Sequence, residues 1–255
     1  MFKLFRQWQD NRVIQQSTIT DAQWAQAFYS LPLLSGLTGE EKKQLQNLAI
    51  LFLHHKVFEG AQDFVITLPM KLLIALQACL PVLKLGLGCY SGWLSVIVYP
   101  SGFAPKRTVT DENGVVHYVQ SDLAGESWQR GPVILSWDDT EFAGVIDGSN
   151  LVIHEFAHKL DMQNGVANGF PPLHKNMNAK EWVTAFSTGF EDFQQQCSRG
   201  EPIDIDCYAA SSPAEFFSVL SEVFFECPHI LYKKYPAIYA LLHQYYQQDP
   251  LSRLS

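Results

Sequence analysis

The chain reads His154-Glu155-Phe156-Ala157-His158 just beyond its midpoint, which sets two imidazoles four residues apart with a carboxylate beside the first. On an α-helix, residues four apart share one face, with Cβ atoms about 5–6 Å apart, so both rings can reach one ion. The glutamate lies about 100° further round the helix, where it can contact a water molecule at that ion. This arrangement is typical of helices that bind zinc and activate water.

The residues around this pentad favour a helix. Apolar residues 151–153 lead into it, and either Ser149 or Asp147 can cap its start. Gly165 supplies a left-handed stop. The sequence therefore predicts a helix from about 149 to 164.

Two histidines are too few for a zinc site, so further ligands must come from elsewhere in the chain. Closed structural zinc sites use four protein ligands and favour cysteine, and none of the five cysteines is near the pentad. A catalytic site needs only one more protein ligand. The sequence therefore favours a catalytic site with a distant third ligand.

A second predicted helix, over residues 213–226, offers candidates for this third ligand. Ser211 or Ser212 can cap it, and Pro213 suits its first turn. Its apolar residues recur at helical spacing, which indicates that it is largely buried. Three acids lie close to one face at i, i+7 and i+11: Glu215, Glu222 and Glu226. A buried acid is costly unless it is paired or bound to metal, so one of the three is predicted to be the ligand.

These stretches resemble a known family. The pentad with its continuation HEFAHKLD, Tyr208, and Glu215-Phe216-Phe217 together look like the Mlc titration factor A family of bacterial zinc metallopeptidases. The same stretches resemble, locally, the catalytic domain of anthrax lethal factor. The similarity to the titration factor family extends across most of the chain. It includes the turn at 125–128, the strand that ends near Asp139, and the Asp147-Gly148 approach to the helix.

The resemblance implies a set of roles. The ligands of one Zn²⁺ ion per chain would be His154, His158 and Glu215. Glu155 would be the general base, and Tyr208 would supply a hydroxyl to the transition state. The implied activity is hydrolysis of peptides, of the aminopeptidase type.

Several side chains keep an alternative interpretation. From the residues alone, Tyr208 is an ordinary half-buried tyrosine, and only the resemblance gives it a catalytic role. Glu222 and Glu226 are interpreted as solvated acids or as acids behind the ligands. Asp161 could orient a ligand imidazole or form a surface ion pair.

The resemblance also implies a second hypothesis of a different class. In this alternative the protein binds the glucose repressor Mlc and so regulates transcription of sugar-uptake genes, with peptidase activity secondary or latent. The two hypotheses are compatible. Whether partner binding survives the loss of Glu155 would separate them.

Composition excludes several partners and compartments. A formal net charge of −8 argues against direct binding of nucleic acid or of anionic membranes. The N-terminus lacks the features of a signal peptide, and the apolar stretch 68–87 is interrupted by polar residues and proline, so neither secretion nor a membrane span is predicted. The five cysteines, without a C-x-x-C spacing, are interpreted as core thiols of a cytoplasmic protein.

The pattern along the chain predicts the α+β class. Residues 1–90 are mostly helical, with one helix opening after Thr38, whereas residues 93–137 contain strands. Further helices are predicted for 179–197, 213–226 and 229–247. With the resemblance, this pattern implies a zincin-like metallopeptidase core, a small mixed sheet plus active-site helices, over residues 91–255. The whole chain, 1–255, is predicted to be a single domain.

Two features near the pentad are predicted to meet substrate. The strand 132–137 opens with Pro132, which suits a sheet edge that could pair with an extended peptide, although an interior strand with proline at its start fits equally well. The Gly/Pro-rich loop 164–172 is predicted to cover the cleft.

Overall fold

Helices and strands both occur along the chain. The computed structural model describes residues 2–101, 106–110, 116–120, 125–127, 131–142 and 145–253. The helices it describes are α1 (Phe2–Gln15), α2 (Asp21–Tyr29), α3 (Gly39–His55), α4 (Leu68–Cys79), α5 (Trp137–Phe142), α6 (Leu151–Asp161), α7 (Ala179–Ser198), α8 (Pro213–Glu226), α9 (Pro228–Lys234) and α10 (Pro236–Tyr246). The strands are β1 (Val57–Gly60), β2 (Ser95–Tyr99), β3 (Lys106–Thr110), β4 (Val116–Gln120), β5 (Gly125–Ser127) and β6 (Val133–Ser136). The predicted α+β class is confirmed.

A mixed sheet with the strand order β1-β2-β6-β5 lies beside the pentad helix α6. Strands β1, β2 and β6 are parallel, and β5 runs antiparallel to β6. All four residues of β6 are buried, and the strand pairs on both sides, so the interior alternative for this strand is right and the edge alternative is wrong. The edge position next to β6 is occupied by the short strand β5.

Strands β3 and β4 form a separate antiparallel pair within residues 93–137, where strands are predicted. The residues between them, 111–115, lie outside the described residues. Strand β1 was not predicted, because it has only four residues and begins just after the end of α3, in a region with strong helical periodicity. It pairs with β2 in register from Val57 opposite Ser95.

Helix α3 begins where the sequence predicts, directly after Thr38. Thr38 and Glu41 form a capping box at the start of α3, each accepting from the other's backbone N–H. Helix α4 is shorter than the apolar stretch 68–87, because Pro81 ends the helical run. None of the helices in the described part of the chain combines the length and apolarity that crossing a bilayer requires.

The C-terminal segment differs from its prediction at one position. A single helix is predicted for 229–247, but the helix is interrupted at Tyr235, whose backbone angles are φ −132° and ψ 69°. Pro236 has no N–H to continue the first helix, and it disfavours helical geometry in the residue before it. Two short helices, α9 and α10, result.

Helix α6 packs through Phe156 on an aromatic cluster contributed by the N-terminal half. The Phe156 ring centroid lies 5.6 Å from that of Phe52, 5.0 Å from Tyr90 and 5.7 Å from Trp93. All four side chains are buried in one hydrophobic core to which both halves of the chain contribute. Since Phe156 lies about 200° round the helix from His154, burying it directs the histidines to the opposite face, toward α8.

Asp161, the last residue of α6, forms neither a hydrogen bond to His154 or His158 nor an ion pair with any residue that the structure describes. Its carboxylate is fully buried and accepts hydrogen bonds from the backbone N–H groups of Asn168, Gly169 and Phe170, at 2.7, 2.7 and 2.9 Å. It therefore holds the loop 164–172 in place. A Cβ on Gly169, which has φ +77°, would meet the backbone oxygen of Pro213 at 2.5 Å, so this loop lies directly against the start of α8.

Asp161→Ala should therefore destabilise the fold by about 3 kcal/mol, because three backbone donors lose a charged acceptor in a buried place. The expected readout is a lower midpoint in urea unfolding with an unchanged slope. Asp204→Ala, at an exposed loop position, is the matched control. Equal stability of the two variants would refute the role of Asp161 in fixing the loop.

The cysteines depart from the interpretation as core thiols. Cys79, Cys89 and Cys227 are free, but Cys197 and Cys207 form a disulfide with Cα atoms 5.8 Å apart. The bond joins the last turn of α7 to a short 3₁₀ turn, Cys207–Ala210, which precedes α8.

Candidate metal centre

Helices α6 and α8 bring three side chains to one point. His154 Nε2, His158 Nε2 and Glu215 Oε2 form a small triangle: 3.2 Å separates the two nitrogens, and the carboxylate oxygen lies 3.0 Å from His154 Nε2 and 3.2 Å from His158 Nε2. Both histidines are buried, and Glu215 is partly buried. Among the described residues these three form a group that could hold a metal ion.

Local sequence explains why these helices start where they do. The N-cap of α6 is Asn150, rather than the predicted Ser149 or Asp147, and its side-chain oxygen accepts from Ile153 N at 2.9 Å. The N-cap of α8 is Ser212, one of the two predicted, and its hydroxyl accepts from Glu215 N at 3.2 Å. This second cap fixes the backbone of Glu215 in the first turn of α8.

Glu222 lies behind His154 and is not solvated. The Nδ1 atom of His154 donates to Glu222 Oε1 at 2.7 Å, and Glu222 also accepts from the backbone N–H of Asn150. With its proton on Nδ1, the imidazole presents a lone pair at Nε2 to the centre of the triangle. Of the two alternatives for Glu222, the solvated acid is therefore wrong, and the structure places the carboxylate behind a candidate ligand.

Glu226 is also buried, one turn further along α8. Its two oxygens accept from Gly148 N at 3.1 Å and from Asn150 Nδ2 at 2.8 Å. Burial raises the pKa of Glu226 to about 8 against the opposing effect of these donors. Glu226 therefore holds the segment that leads into α6 by hydrogen bonds and does not touch the triangle. Its interpretation as a solvated acid is wrong.

Asn150 and Gln77 were not predicted to take part in the site. Asn150 Nδ2 donates to Gln77 Oε1 at 2.8 Å as well as to Glu226, so one buried amide joins α4, α6 and α8. The available signal was a glutamine inside the apolar helix α4, which is fully buried in the structure. A buried polar side chain needs a partner, and that requirement could have marked Gln77 in advance.

Glu155 lies beside the triangle with its carboxylate enclosed. Its side chain is 2% exposed, and its Oε2 atom has no hydrogen-bond partner among the described residues. Burial raises the pKa of Glu155 to about 7, with the facing His154 and His158 acting in the opposite direction. An unpartnered carboxylate with a pKa close to neutral has the properties of a general base.

Tyr208 reaches the same place from the 3₁₀ turn Cys207–Ala210. Its ring centroid lies 6.0 Å from that of His154, and the side chain is 45% exposed. Burial of the hydroxyl and the negative charge of Glu215 raise the pKa of Tyr208 to about 12. The phenol therefore keeps its proton at neutral pH and can act as a hydrogen-bond donor.

Two further groups complete the surroundings. Ser218, which the sequence interpretation missed, is fully buried one turn after Glu215, with its hydroxyl 3.3 Å from His154 Nε2. The Nδ1 atom of His158 is buried and has no partner in the described part of the chain. His154 and His158 thus differ, because only the first has an acid behind it.

The fold and the site together define a class: an α+β protein in which a His-His-Glu group on two helices could bind a metal ion. The family described as glucose-regulated metallo-peptidase M90 matches residues 5–247. The chain belongs to this family, as the resemblance of its motifs implied.

Similar proteins occur in two Yersinia species. Proteins named Mlc titration factor A from Yersinia pestis (strain Pestoides F) and from Yersinia pseudotuberculosis (serotype O:1b, strain IP 31758) are each 39% identical to this chain over 236 residues. In both cases the match covers 91% of this chain and 87% of the relative. The similarity therefore extends over most of the chain and is not confined to the site.

Proposed function

We propose that this protein is a zinc-dependent metallopeptidase whose ion is held by His154, His158 and Glu215. The observation that carries the proposal is the triangle of three ligand atoms, 3.0–3.2 Å apart, with an enclosed, unpartnered carboxylate beside it. Membership of a metallopeptidase family supports the same conclusion.

The geometry of the triangle fits zinc. Ligand atoms about 2.0–2.2 Å from a tetrahedral ion lie about 3.3–3.6 Å from one another, only a few tenths of an ångström more than the distances found here. The donor set also fits, since two imidazoles and one carboxylate leave one coordination position open, as catalytic zinc sites do. Without a metal ion, these three atoms can face each other at this distance only if a proton on an imidazole nitrogen bridges to the Glu215 carboxylate, whereas a cation between them satisfies all three at once.

The roles of the chain's own residues follow from their positions. A bound zinc ion would polarise the peptide carbonyl as a Lewis acid and lower the pKa of water to about 7. Glu155 accepts the proton of the attacking water and delivers it to the departing amine. Tyr208, on the exposed side of the site, donates a hydrogen bond to the oxyanion. Glu222 keeps the proton of His154 on Nδ1, so that Nε2 is free to bind the ion.

Tyr208→Phe should lower kcat by about 10²-fold, at the lower end of what losing one oxyanion donor costs. Metal content should not change, because none of the three proposed ligands is altered. The measurement is steady-state hydrolysis at equal zinc content, with Tyr232→Phe as the control, since Tyr232 is a similarly exposed tyrosine on α9. Unchanged turnover would reduce Tyr208 to a packing residue.

We further propose that the substrates are peptides with a free N-terminus, as the resemblance to aminopeptidase-like relatives suggests. A panel of peptides with matched free and blocked N-termini, incubated with the zinc-loaded protein, tests both levels of the proposal. Cleavage of the free series alone supports an aminopeptidase, and equal cleavage of both series supports an endopeptidase. No cleavage by protein with zinc bound would count against any autonomous peptidase.

A second candidate function is binding of the repressor Mlc, for which the relatives are named. The family description "glucose-regulated" and the net charge of −8 favour a regulatory role toward a DNA-binding protein without direct contact to DNA. Such a partner would place the protein in the cytoplasm. Calorimetric titration of purified Mlc into wild type and Glu155→Gln tests this. Equal affinities would separate binding from catalysis, and no heat with either protein would refute this function.

A further inference from the structure

The disulfide between Cys197 and Cys207 lies within reach of solvent. Cys207 is exposed and Cys197 is partly exposed, so a small reductant or a redox protein can approach the bond. The half-cystines are ten residues apart in the chain and join the end of the long helix α7 to the turn Cys207–Ala210. The bond is thus a surface link between a rigid helix and a short turn.

That turn carries Tyr208, the residue directly after the half-cystine. The Tyr208 ring centroid lies 6.0 Å from that of His154, and its hydroxyl interacts with Glu215. The position of the phenol in the site therefore depends on where the turn is held. A displacement of about 1 Å in a catalytic group can cost up to about 10² in rate, so the attachment of this turn matters for turnover.

Besides the disulfide, the turn is held by the buried side chain of Ala209 and by two hydrogen bonds. Asp206 Oδ1 accepts from Tyr208 N at 2.9 Å, and Gln194 Nε2 donates to Ala210 O at 2.9 Å, but both side chains are exposed. In the connecting segment 199–206 only Ile205 is buried. Exposed hydrogen bonds exchange readily with water, so the disulfide is the strongest constraint between the turn and α7.

We propose that the Cys197–Cys207 disulfide is a positioning group for the catalytic site, and that its reduction lowers turnover by releasing the turn that carries Tyr208. The effect on turnover rests on the peptidase function proposed above. The effect on the position of the turn does not. The rate of turnover then depends on whether the Cys197–Cys207 disulfide is oxidised or reduced.

The chemistry needs a dithiol reductant of the thioredoxin class. A thiolate of the reductant attacks the Sγ atom of Cys207, the more exposed of the two residues, and forms a mixed disulfide while Cys197 leaves as a thiolate. The second thiol of the reductant then attacks its own partner in the mixed disulfide and releases Cys207. Two electrons and two protons pass to the protein, which gains two thiols, and the reductant becomes a disulfide.

Metal binding should not follow the redox state. The proposed ligands lie on α6 and α8, and α8 is capped independently by Ser212. Residues 197 and 207 contribute nothing to either helix. Reduction is therefore expected to lower kcat by about 10-fold while KM and zinc affinity stay within about 2-fold.

The experiment compares oxidised and phosphine-reduced zinc-loaded protein by hydrogen exchange with peptide-level mass spectrometry and by peptide hydrolysis. Faster exchange is expected in residues 199–211 and not in α6 or α8. The Cys197→Ser/Cys207→Ser variant should behave as the reduced wild type and be insensitive to reductant. Cys89→Ser, which leaves the disulfide intact, is the matched control and should respond as wild type does.

Tyr208→Phe distinguishes positioning from general loosening. If the disulfide acts through Tyr208, reducing this variant should change its kcat by less than about 2-fold. A 10-fold loss in this variant, or unchanged turnover in reduced wild type, would overturn the proposal. Unchanged exchange in residues 199–211 would overturn it regardless of activity. If neither redox form hydrolyses peptides, the peptidase function fails, and the exchange data alone decide whether the bond positions the turn.

Discussion

Glu155→Gln is expected to reduce peptide hydrolysis by about 10²- to 10⁴-fold and to leave zinc bound. The wild-type carboxylate is enclosed, its Oε2 atom has no partner in the described residues, and it faces both histidines. A glutamine keeps the shape of the side chain but cannot take a proton from water. Because Glu155 is not one of the three proposed ligands, the zinc ion should stay bound in the variant.

The measurement is steady-state hydrolysis of an unblocked peptide, with zinc per chain determined on the same sample. Glu40→Gln is the control, since Glu40 is an exposed glutamate in the first turn of α3. Full activity of Glu155→Gln would remove Glu155 from the mechanism. Loss of both activity and zinc would instead show that this residue supports the metal.

The second large effect is expected for Glu215→Ala. It removes one corner of the triangle, so zinc affinity should fall by well over about 100-fold, more than the loss typical of a residue behind a ligand. Glu222→Ala should weaken zinc by about 10- to 100-fold, because His154 keeps its place but loses the acceptor that sets its tautomer. Competition with a chromophoric chelator measures both affinities on one scale.

The order of these two effects is the test. If Glu222→Ala were the more damaging change, the third ligand would lie two turns further along α8 than we propose. A thermal shift gives an independent readout, since a ligand that binds only the folded state raises the unfolding midpoint by an amount that grows with the logarithm of its affinity. Zinc should stabilise the wild type most, Glu222→Ala less, and Glu215→Ala least.

The proposed ligands could be predicted from sequence because each depends on local periodicity. His154 and His158 share a face by their spacing alone, and Glu215 is the acid in the first turn of a helix with its own cap. The resemblance then selected Glu215 among three acids on one face, and the geometry brings it to the histidines. The predicted helix boundaries were wrong where a proline interrupts the helix, as at Pro236, although the proline could be seen in the sequence.

The surroundings of the site could not be predicted in the same way. The hydrogen bonds of Asn150 join residues 72 to 76 positions apart, and no local pattern encodes such pairs. Strand β5 has only three residues, which is too short for a recognisable sequence pattern. Its pairing with β6 depends on contacts that exist only in the folded sheet. The disulfide depends on two Cα atoms approaching to 5.8 Å, which requires the path of the loop between them.

Asn150 illustrates how few residue types a buried position can accept. Its oxygen receives the Ile153 N–H, and the two hydrogens of its nitrogen go to Gln77 and Glu226, so no hydrogen-bonding group of the amide is left over. Aspartate would cap the helix equally well, but it would set a second carboxylate against Glu226. Serine would cap the helix and leave both acceptors without a donor, and glutamine is one methylene too long. Of the residues that usually cap a helix, asparagine alone offers one acceptor and two donors at the start of α6.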